Sequence, residues 1–375
     1  MEILMERIRI AKPWISNLEI SYVQDAVSNG WGEKCYTYIK KLEKRFSEYL
    51  GIKHAVATSS CTGATHMALV AMGVGAGDEV IIPETTWISC ASAVIYAGAN
   101  PVFVDIKEDT WCIDPDKIER AISPKTKAIM PVHIYGNVAE MNEIMDIATK
   151  HNIQVIEDPA EALGAEYYGR KVGSIGGCGV FSFHGTKMAT SGEGGMFVTN
   201  DDELFNKFSV LHDQGRVSEE KRMFFPHHIG YKYKISNLQA ALAYAQIERI
   251  RELIQKKKEI FNWYSRSFSN FDNVKLNYQQ KYAKCCYWMP ILIFDKPINI
   301  DQSGGLIEHL DNHGIDSRPF FYPLSSLPMF PKQQQNSVAY DLCKRAINLP
   351  SPFCITKEEV NYVSKMVMSF LNNSN

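Results

Sequence analysis

The sequence predicts an α/β fold, in which a large domain with a mostly parallel sheet flanked by helices precedes a smaller C-terminal α+β domain. Short β-rich runs bounded by Gly, Pro, Asp or Asn alternate with stretches of helical apolar spacing, as is typical of a parallel sheet covered by helices. The length of 375 residues and the hydrophobic content of 45% also fit one large and one smaller domain. We place these domains at 1–250 and 251–375.

The β-rich runs of the large domain follow one another in a regular order. "KHAVATSS" leads into the helical spacing of "CTGATHMALVAMGV", and "DEVIIPETTW" leads into "ISCASAVIYAG". Five further runs have the length and residue types of strands, namely "NPVFVDI", "KAIMPVHIYG", "IQVIEDPAEALGA", "GVFSFHG" and "GMFVTN". The sequence therefore predicts seven strands in this domain.

The rest of the chain begins with a long helical pattern. Residues 235–268 are amphipathic and rich in strong helix formers, so we expect one helix that bridges the two domains. After it come the strand "YWMPILIF", a helix near "GGLIEHLDNHG", the loop "RPFFYPLSSLPMF" and a final helix from Thr356. These elements predict the smaller domain.

Charge and composition exclude several classes of protein. Forty basic and 42 acidic residues give a net charge of −2 without a block of like charges, so we expect no nucleic-acid partner. The N-terminus lacks a signal-peptide pattern, and no uncharged segment is long enough to cross a bilayer, which predicts a cytoplasmic protein without a membrane anchor. The nine scattered cysteines form no CxxC or Cys/His cluster, so we expect reduced thiols and no metal site.

Three polar positions follow predicted strands, where ligands bind in open α/β sheets. Ser60, Cys61 and Thr62 lie between a strand and a helix, where backbone amides can hold a phosphate or form an ordinary N-cap. Asp158 follows "IQVI", and Lys187 follows "GVFSF". Taken alone, each residue has an ordinary interpretation as a cap or a surface charge. Together they match the amine, carboxylate and anion cradle that pyridoxal 5′-phosphate requires.

The order and spacing of six segments make this interpretation specific. The chain resembles the DegT/DnrJ/EryC1/StrS family of sugar aminotransferases over nearly its whole length, through "TSSCTGATHMAL", "DEVIIPETTW", "NPVFVDI", "VIEDPAEALGA", "FSFHGTKMATSGEGGM" and "GYKYKISNLQAAL". The resemblance implies a fold type I aminotransferase whose large domain binds pyridoxal phosphate on a seven-stranded sheet. The segments "DSRPFFYPLSSLPMF" and "INLPSP" are most similar to the branch that includes the GDP-perosamine synthases.

The resemblance assigns the catalytic roles to two residues. Lys187 matches the family's Schiff-base lysine, and Asp158 matches the carboxylate that pairs with the pyridine nitrogen. Glu161 matches a residue near the ring hydroxyl, and Trp87 matches the aromatic residue stacked on the ring, although a tryptophan at a strand end can also be core. Sugar dehydratases of this fold have histidine in place of the lysine, so Lys187 favours transamination.

The same resemblance implies a phosphate site shared across a homodimer. Cys61 and Thr62 match a usual Gly-Thr pair, Ser182 matches a hydroxyl donor, and Asn237 matches an asparagine that reaches the neighbouring subunit's site. Cys61 departs from the family pattern. It narrows the permitted backbone angles and places a thiol near the cofactor.

The amino acceptor is less clearly specified. The resemblance implies L-glutamate as donor, ping-pong kinetics and a nucleotide-linked 4-keto-6-deoxyhexose as acceptor, aminated for surface polysaccharide or amino-sugar synthesis. A smaller ketone, such as a keto-inositol or keto-phosphate, is the alternative, and a non-catalytic binding or regulatory protein of this fold is another. Lys234 and Ser325 stand where the branch usually has arginine and histidine. We place the following residues on the acceptor side: Trp31, His184, Arg318, Tyr322 and Ser325.

Overall fold

The computed structural model describes residues 6–217, 219–332 and 335–373. Helices alternate with strands as the sequence predicts. The α-helices are α1 Asn17–Asn29, α2 Thr37–Leu50, α3 Cys61–Ala71, α4 Ser89–Tyr96, α5 Pro115–Ala121, α6 Met141–His151, α7 Asp202–His212, α8 Asn237–Glu248, α9 Ile250–Ser267, α10 Leu306–Asn312, α11 Ser337–Leu342 and α12 Lys357–Asn373. The strands are β1 His54–Thr58, β2 Glu79–Pro83, β3 Asn100–Val104, β4 Thr126–Ile129, β5 Gln154–Glu157, β6 Glu166–Tyr167, β7 Arg170–Lys171, β8 Cys178–Ser182, β9 Gly195–Thr199, β10 Val274–Lys275, β11 Ala283–Lys284, β12 Ile291–Phe294, β13 Arg318–Pro319 and β14 Ala346–Asn348.

The central sheet contains the seven strands expected from the sequence. Their order across the sheet is β1-β9-β8-β5-β4-β2-β3. Neighbouring strands are parallel except at β9, which is antiparallel to both β1 and β8. Six strands therefore point the same way, and their carboxyl ends share one edge. The predicted fold class is confirmed.

The long helix expected over 235–268 is wrong in one respect, because the structure has two helices there. Helix α8 ends at Glu248, α9 begins at Ile250, and Arg249 between them has φ −98° and ψ 10°. The Arg249 guanidinium donates to Glu19 of α1 at 2.9 Å and to Glu252 at 2.9 Å. The apolar periodicity of the sequence continues through Arg249. The pattern therefore did not indicate that the helix is divided there.

A smaller sheet and a second hydrophobic core occupy the C-terminal part of the chain. Strands β10-β12-β14-β13 form an antiparallel sheet, and α9, α10 and α12 pack against it around Tyr264, Leu310 and Val363. Ile8 from the N-terminal segment also belongs to this core. Strand β11 instead pairs with β6, and with β7 these two strands form a separate three-stranded sheet. The domain limits at residue 250 stay a prediction.

Among the residues that the structure describes, the helices are too short or too polar to cross a membrane. Over the same residues, His, Cys, Asp and Glu side chains form no group of three placed to hold a metal ion. All nine cysteines are free thiols.

Candidate active site

A cavity of about 520 Å³ lies at the edge where the carboxyl ends of the parallel strands meet. Its walls come from the segments that follow β1, β2, β4, β5 and β8, and from β13 and β14 of the small sheet. This is the position that parallel α/β sheets use for ligands. The cavity is lined by these residues expected from the sequence: Cys61, Thr62, Trp87, Asp158, Glu161, Ser182, His184, Lys187 and Arg318.

The turn between β1 and α3 presents unpaired backbone amides to the cavity. Ser60 is the N-cap of α3, and its Oγ accepts from the Gly63 amide at 3.0 Å. The amides of Cys61 and Thr62 precede the first intrahelical hydrogen bond and lie at the positive end of the helix. A Cβ on Gly195 of β9 would lie 2.6 Å from the Cys61 nitrogen, so glycine lets β9 approach this turn. The turn can therefore hold a small anion.

Lys187 lies in the loop between β8 and β9, at the floor of the cavity. Its Nζ donates to Glu161 Oε1 at 2.9 Å and lies 4.1 Å from the centre of the Trp288 ring. The second Glu161 oxygen accepts from the Tyr135 amide at 3.0 Å. The side chain of Lys187 is 15% exposed. This lysine is held in one place with its amine facing the cavity.

Asp158 follows β5 and is buried in the same cavity. Its Oδ1 accepts from the Ala160 amide at 2.9 Å, and its Oδ2 accepts from the Cys90 thiol at 3.1 Å. Burial raises the pKa of the Asp158 carboxyl, and these two hydrogen bonds offset part of the shift. No cation of the described residues forms an ion pair with it. A ligand that brings a positive charge would complete this site.

Aromatic side chains form one wall of the cavity. Trp87 is 60% exposed, and its ring centre lies 6.2 Å from that of Phe321. Tyr135 stacks between Phe321, at 5.1 Å, and Trp288, at 6.2 Å. Tyr135 has a φ of 53°, a left-handed angle that is costly for this residue type and is typical of functional sites. The wall offers a flat apolar surface beside Lys187.

Three further predicted residues, Ser182, His184 and Arg318, also line the cavity. Ser182 ends β8, and its Oγ accepts from the His184 amide at 3.3 Å. His184 bonds Thr186 Oγ1 at 3.0 Å and is half exposed. Arg318 in β13 forms an ion pair with Asp316, which fixes its guanidinium at the edge of the cavity.

Four predicted residues do not line the cavity. Trp31 is 64% exposed and donates to the Val27 carbonyl. Tyr322 hydrogen-bonds Asp301 outside the cavity. Ser325 is fully buried, where its hydroxyl lies 3.0 Å from that of Tyr340. A direct contact between Ser325 and a ligand in this cavity therefore has no support.

Asn237 is the fourth of these residues. It begins α8, its Oδ1 accepts from the Tyr38 amide at 2.9 Å, and its Nδ2 donates to the Gly30 carbonyl at 3.4 Å. These contacts lie within one chain. The role of Asn237 in a neighbouring subunit stays a prediction.

Several cavity residues were not predicted from the sequence. Tyr135 and Thr86 follow β4 and β2, so their places at carboxyl strand ends could have indicated them. Trp288 comes from the segment before β12, and Asn348 ends β14. These last two residues reach the cavity only because the small sheet packs over it, which no local pattern reveals.

The groups that line the cavity fit pyridoxal phosphate. The amides that start α3 can hold the phosphate, and the buried Asp158 carboxylate needs a positive partner such as a protonated pyridine nitrogen. The Lys187 amine lies in the same cavity. The aromatic wall can cover one face of a ring.

Comparisons with known proteins agree with this geometry. The family described as "DegT/DnrJ/EryC1/StrS aminotransferase family" matches residues 13–368. A GDP-perosamine synthase of Caulobacter vibrioides is 38% identical over 362 residues, which cover 96% of this chain and 97% of that protein. A GDP-perosamine synthase of Escherichia coli O157:H7 is 37% identical, with coverage of 98% and 99%.

Solved structures show the same similarity. A Streptococcus pneumoniae protein designated a sugar aminotransferase superposes in its PLP form with a TM-score of 0.90 at 28% identity, covering 98% of this chain and 99% of that one. The PMP form of that protein gives a TM-score of 0.91 at 27% identity, with the same coverage.

Proposed function

The chain belongs to the DegT/DnrJ/EryC1/StrS aminotransferase family, and we propose that this pyridoxal phosphate-dependent aminotransferase moves an amino group from L-glutamate to a nucleotide-linked 4-keto-6-deoxyhexose. The observation that carries the chemistry is the convergence of Lys187, Asp158 and the start of α3 on one cavity. The full-length similarity to GDP-perosamine synthases supports the acceptor class and favours GDP as the nucleotide.

Each residue has a role that follows from its position. Pyridoxal phosphate, when bound, supplies an electron sink that stabilises negative charge on a substrate carbon. Lys187 holds and moves the proton at its Nζ, and Glu161 keeps that amine at 2.9 Å in one orientation. Asp158 stabilises positive charge on the ring nitrogen, because its carboxylate is buried and has no other cationic partner among the described residues.

The acceptor is tested by comparing kcat/KM between substrate classes. Purified enzyme is given L-glutamate with a GDP-linked 4-keto-6-deoxyhexose, a keto-inositol or a keto-phosphate, and products are detected by mass. We expect the largest kcat/KM for the sugar nucleotide, since that ratio measures differential transition-state binding. Preference for either small ketone by more than about tenfold, about 1.4 kcal/mol, would overturn the acceptor assignment and leave the aminotransferase chemistry unchanged.

We also propose a homodimer in which Asn237 serves the neighbouring subunit's phosphate site. Asn237 begins α8, and its Nδ2 has a second hydrogen beyond the one that it donates to the Gly30 carbonyl. Variants Asn237→Ala and Lys187→Ala should each be impaired, and mixing them should restore part of the activity. In a mixed dimer, one site collects both defects and the other neither. No recovery after verified subunit exchange would place Asn237 outside the partner's site.

The thiols support a proposal for the cellular location. Nine free cysteines, several of them buried, favour a reducing compartment, and we propose the cytoplasm. An epitope-tagged protein recovered with a secreted fraction would contradict this location.

A further inference from the structure

A second cavity, of about 430 Å³, is lined by residues of α2, α9 and the β6-β7 region and shares no residue with the candidate active site. We call it the basic cavity. Its volume is in the range of small-molecule sites. It is lined by Arg45, Glu48, Tyr49, Gly164, Glu166, Lys171, Arg251, Ile254, Gln255 and Lys258.

Helical periodicity places the cavity's residues on two helix faces. Arg45, Glu48 and Tyr49 are three and four positions apart on α2, and so share one face. Arg251 and Lys258 are seven positions apart on α9 and share one face of that helix. The β6-β7 hairpin adds Lys171. Three separate elements therefore direct cations toward one concave surface.

The charges in the basic cavity are unbalanced. Within the described ranges, no carboxylate forms an ion pair with Arg45, Lys171, Arg251 or Lys258. Two carboxylates also line the cavity, where Glu166 accepts from Lys284 at 2.7 Å and Glu48 lies 3.9 Å from Lys44. A cleft with an excess of one sign of charge attracts ions of the opposite sign. Four cations against two carboxylates leave the cavity with a positive excess.

The floor of the cavity is closely packed and shaped by a glycine. Gly164 has a φ of 98°, and a Cβ there would lie 2.2 Å from the Ile254 side chain. Glycine therefore lets α9 approach the turn after β5. Tyr49 is half buried beside it, with Lys171 Nζ 5.0 Å from its ring centre. Close packing at Gly164 therefore holds α9 against this side of the cavity.

We propose that the basic cavity binds a phosphate-bearing small molecule, whose phosphate oxygens are held by the four cations. Arg45 and Arg251 provide guanidinium forks suited to phosphate, and Lys171 and Lys258 add point charges. Tyr49 and Ile254 supply apolar contact for the rest of the ligand. This site is separate from the proposed transamination and does not rest on it.

Isothermal titration calorimetry with inorganic pyrophosphate tests the site. Enzyme loaded with pyridoxal phosphate is used, so that the anion cradle of α3 is occupied. We expect saturable binding that Arg45→Gln and Arg251→Gln each weaken by at least about tenfold, because each removes charge-assisted hydrogen bonds. Transamination activity and the midpoint of thermal unfolding should stay as in the parent for both variants.

The matched control is Lys256→Gln, which removes one positive charge from α9 outside the cavity. It should bind pyrophosphate like the parent, which separates a specific site from general attraction to a basic surface. The proposal is overturned if pyrophosphate does not bind saturably at millimolar concentration. It is also overturned if binding is equal in the parent and both arginine variants.

Discussion

Replacing Asp158 with asparagine should stabilise the cofactor-free protein. The same substitution should lower the activity of the enzyme loaded with cofactor. The carboxylate is 5% exposed and accepts one hydrogen bond from the Ala160 amide and one from the Cys90 thiol. Asparagine can keep the Ala160 bond through its own oxygen. The substitution therefore removes a buried charge without leaving that amide unpaired.

The size of the gain follows from these contacts. Burying an ionised group costs several kcal/mol, and a hydrogen bond to a charged group returns about 1.5–3 kcal/mol. Asp158 has one bond from an amide and one from a thiol, which is a weak donor. A net penalty of about 1–3 kcal/mol remains, and its relief should raise the unfolding temperature by a few degrees.

The effect should depend on pH in a defined direction. The pKa of Asp158 is raised on folding, chiefly by burial, so the folded state loses stability as the pH rises above the ordinary value of 3.8. The advantage of Asp158→Asn should therefore be largest at neutral pH and shrink as the pH falls toward 3.8. Thermal unfolding of the cofactor-free parent and variant across this range measures the difference.

Activity should move the other way, because the variant lacks the carboxylate that we propose as the charged partner of the cofactor's ring nitrogen. We expect kcat to fall about 10²-fold or more. The exposed Asp272→Asn is the matched control and should change neither quantity. A lower unfolding temperature for cofactor-free Asp158→Asn at neutral pH would refute the reasoning, because it would mean that the carboxylate stabilises the fold.

Three further outcomes are expected. Borohydride reduction of the loaded enzyme should fix the cofactor on Lys187, and peptide mapping that found it on another lysine would contradict the assignment. Gly195→Ala should abolish cofactor binding in an absorbance titration, because its Cβ would lie 2.6 Å from the Cys61 nitrogen; unchanged affinity would show that β9 can withdraw. Glu157→Gln should lower the free energy of unfolding by roughly 3–6 kcal/mol, measured as a lower unfolding temperature. The buried carboxylate accepts from three amides and one histidine, and the variant loses two of these four bonds. A change below about 1 kcal/mol would contradict this count.

The sequence predicted the large sheet well, because each of its strands is a short apolar run with clear boundaries. Runs such as "DEVIIP" and "GMFVTN" are buried on both faces, and their composition alone indicates that environment. The division between α8 and α9 was missed, because Arg249 contacts Glu19 on a helix that is distant in sequence. Long-range contacts of this kind leave no periodic signal.

The candidate site was predictable to a similar extent. Lys187, Asp158 and Cys61 follow strands of one sheet, so topology brings them together. Trp288 and Asn348 belong to the smaller sheet, and their places depend on how the two cores pack. Ser325 shows the converse: its position beside a family motif suggested a ligand contact, whereas its hydroxyl pairs with Tyr340 in the interior.

The antiparallel strand β9 has a consequence for the order in which the molecule assembles. β1 lies at the edge of the large sheet, and β9 is its neighbour there, with His54 opposite Thr199. Because β1 precedes β9 by more than a hundred residues, β1 leaves the ribosome long before its partner is synthesised. The pairing of β1 with β9 closes this long loop and is therefore a late and slow event. The turn into α3 is anchored only then. We expect nascent chains that end before Gly195 to fold without an anion cradle, so that the cofactor joins a chain whose large sheet is already complete.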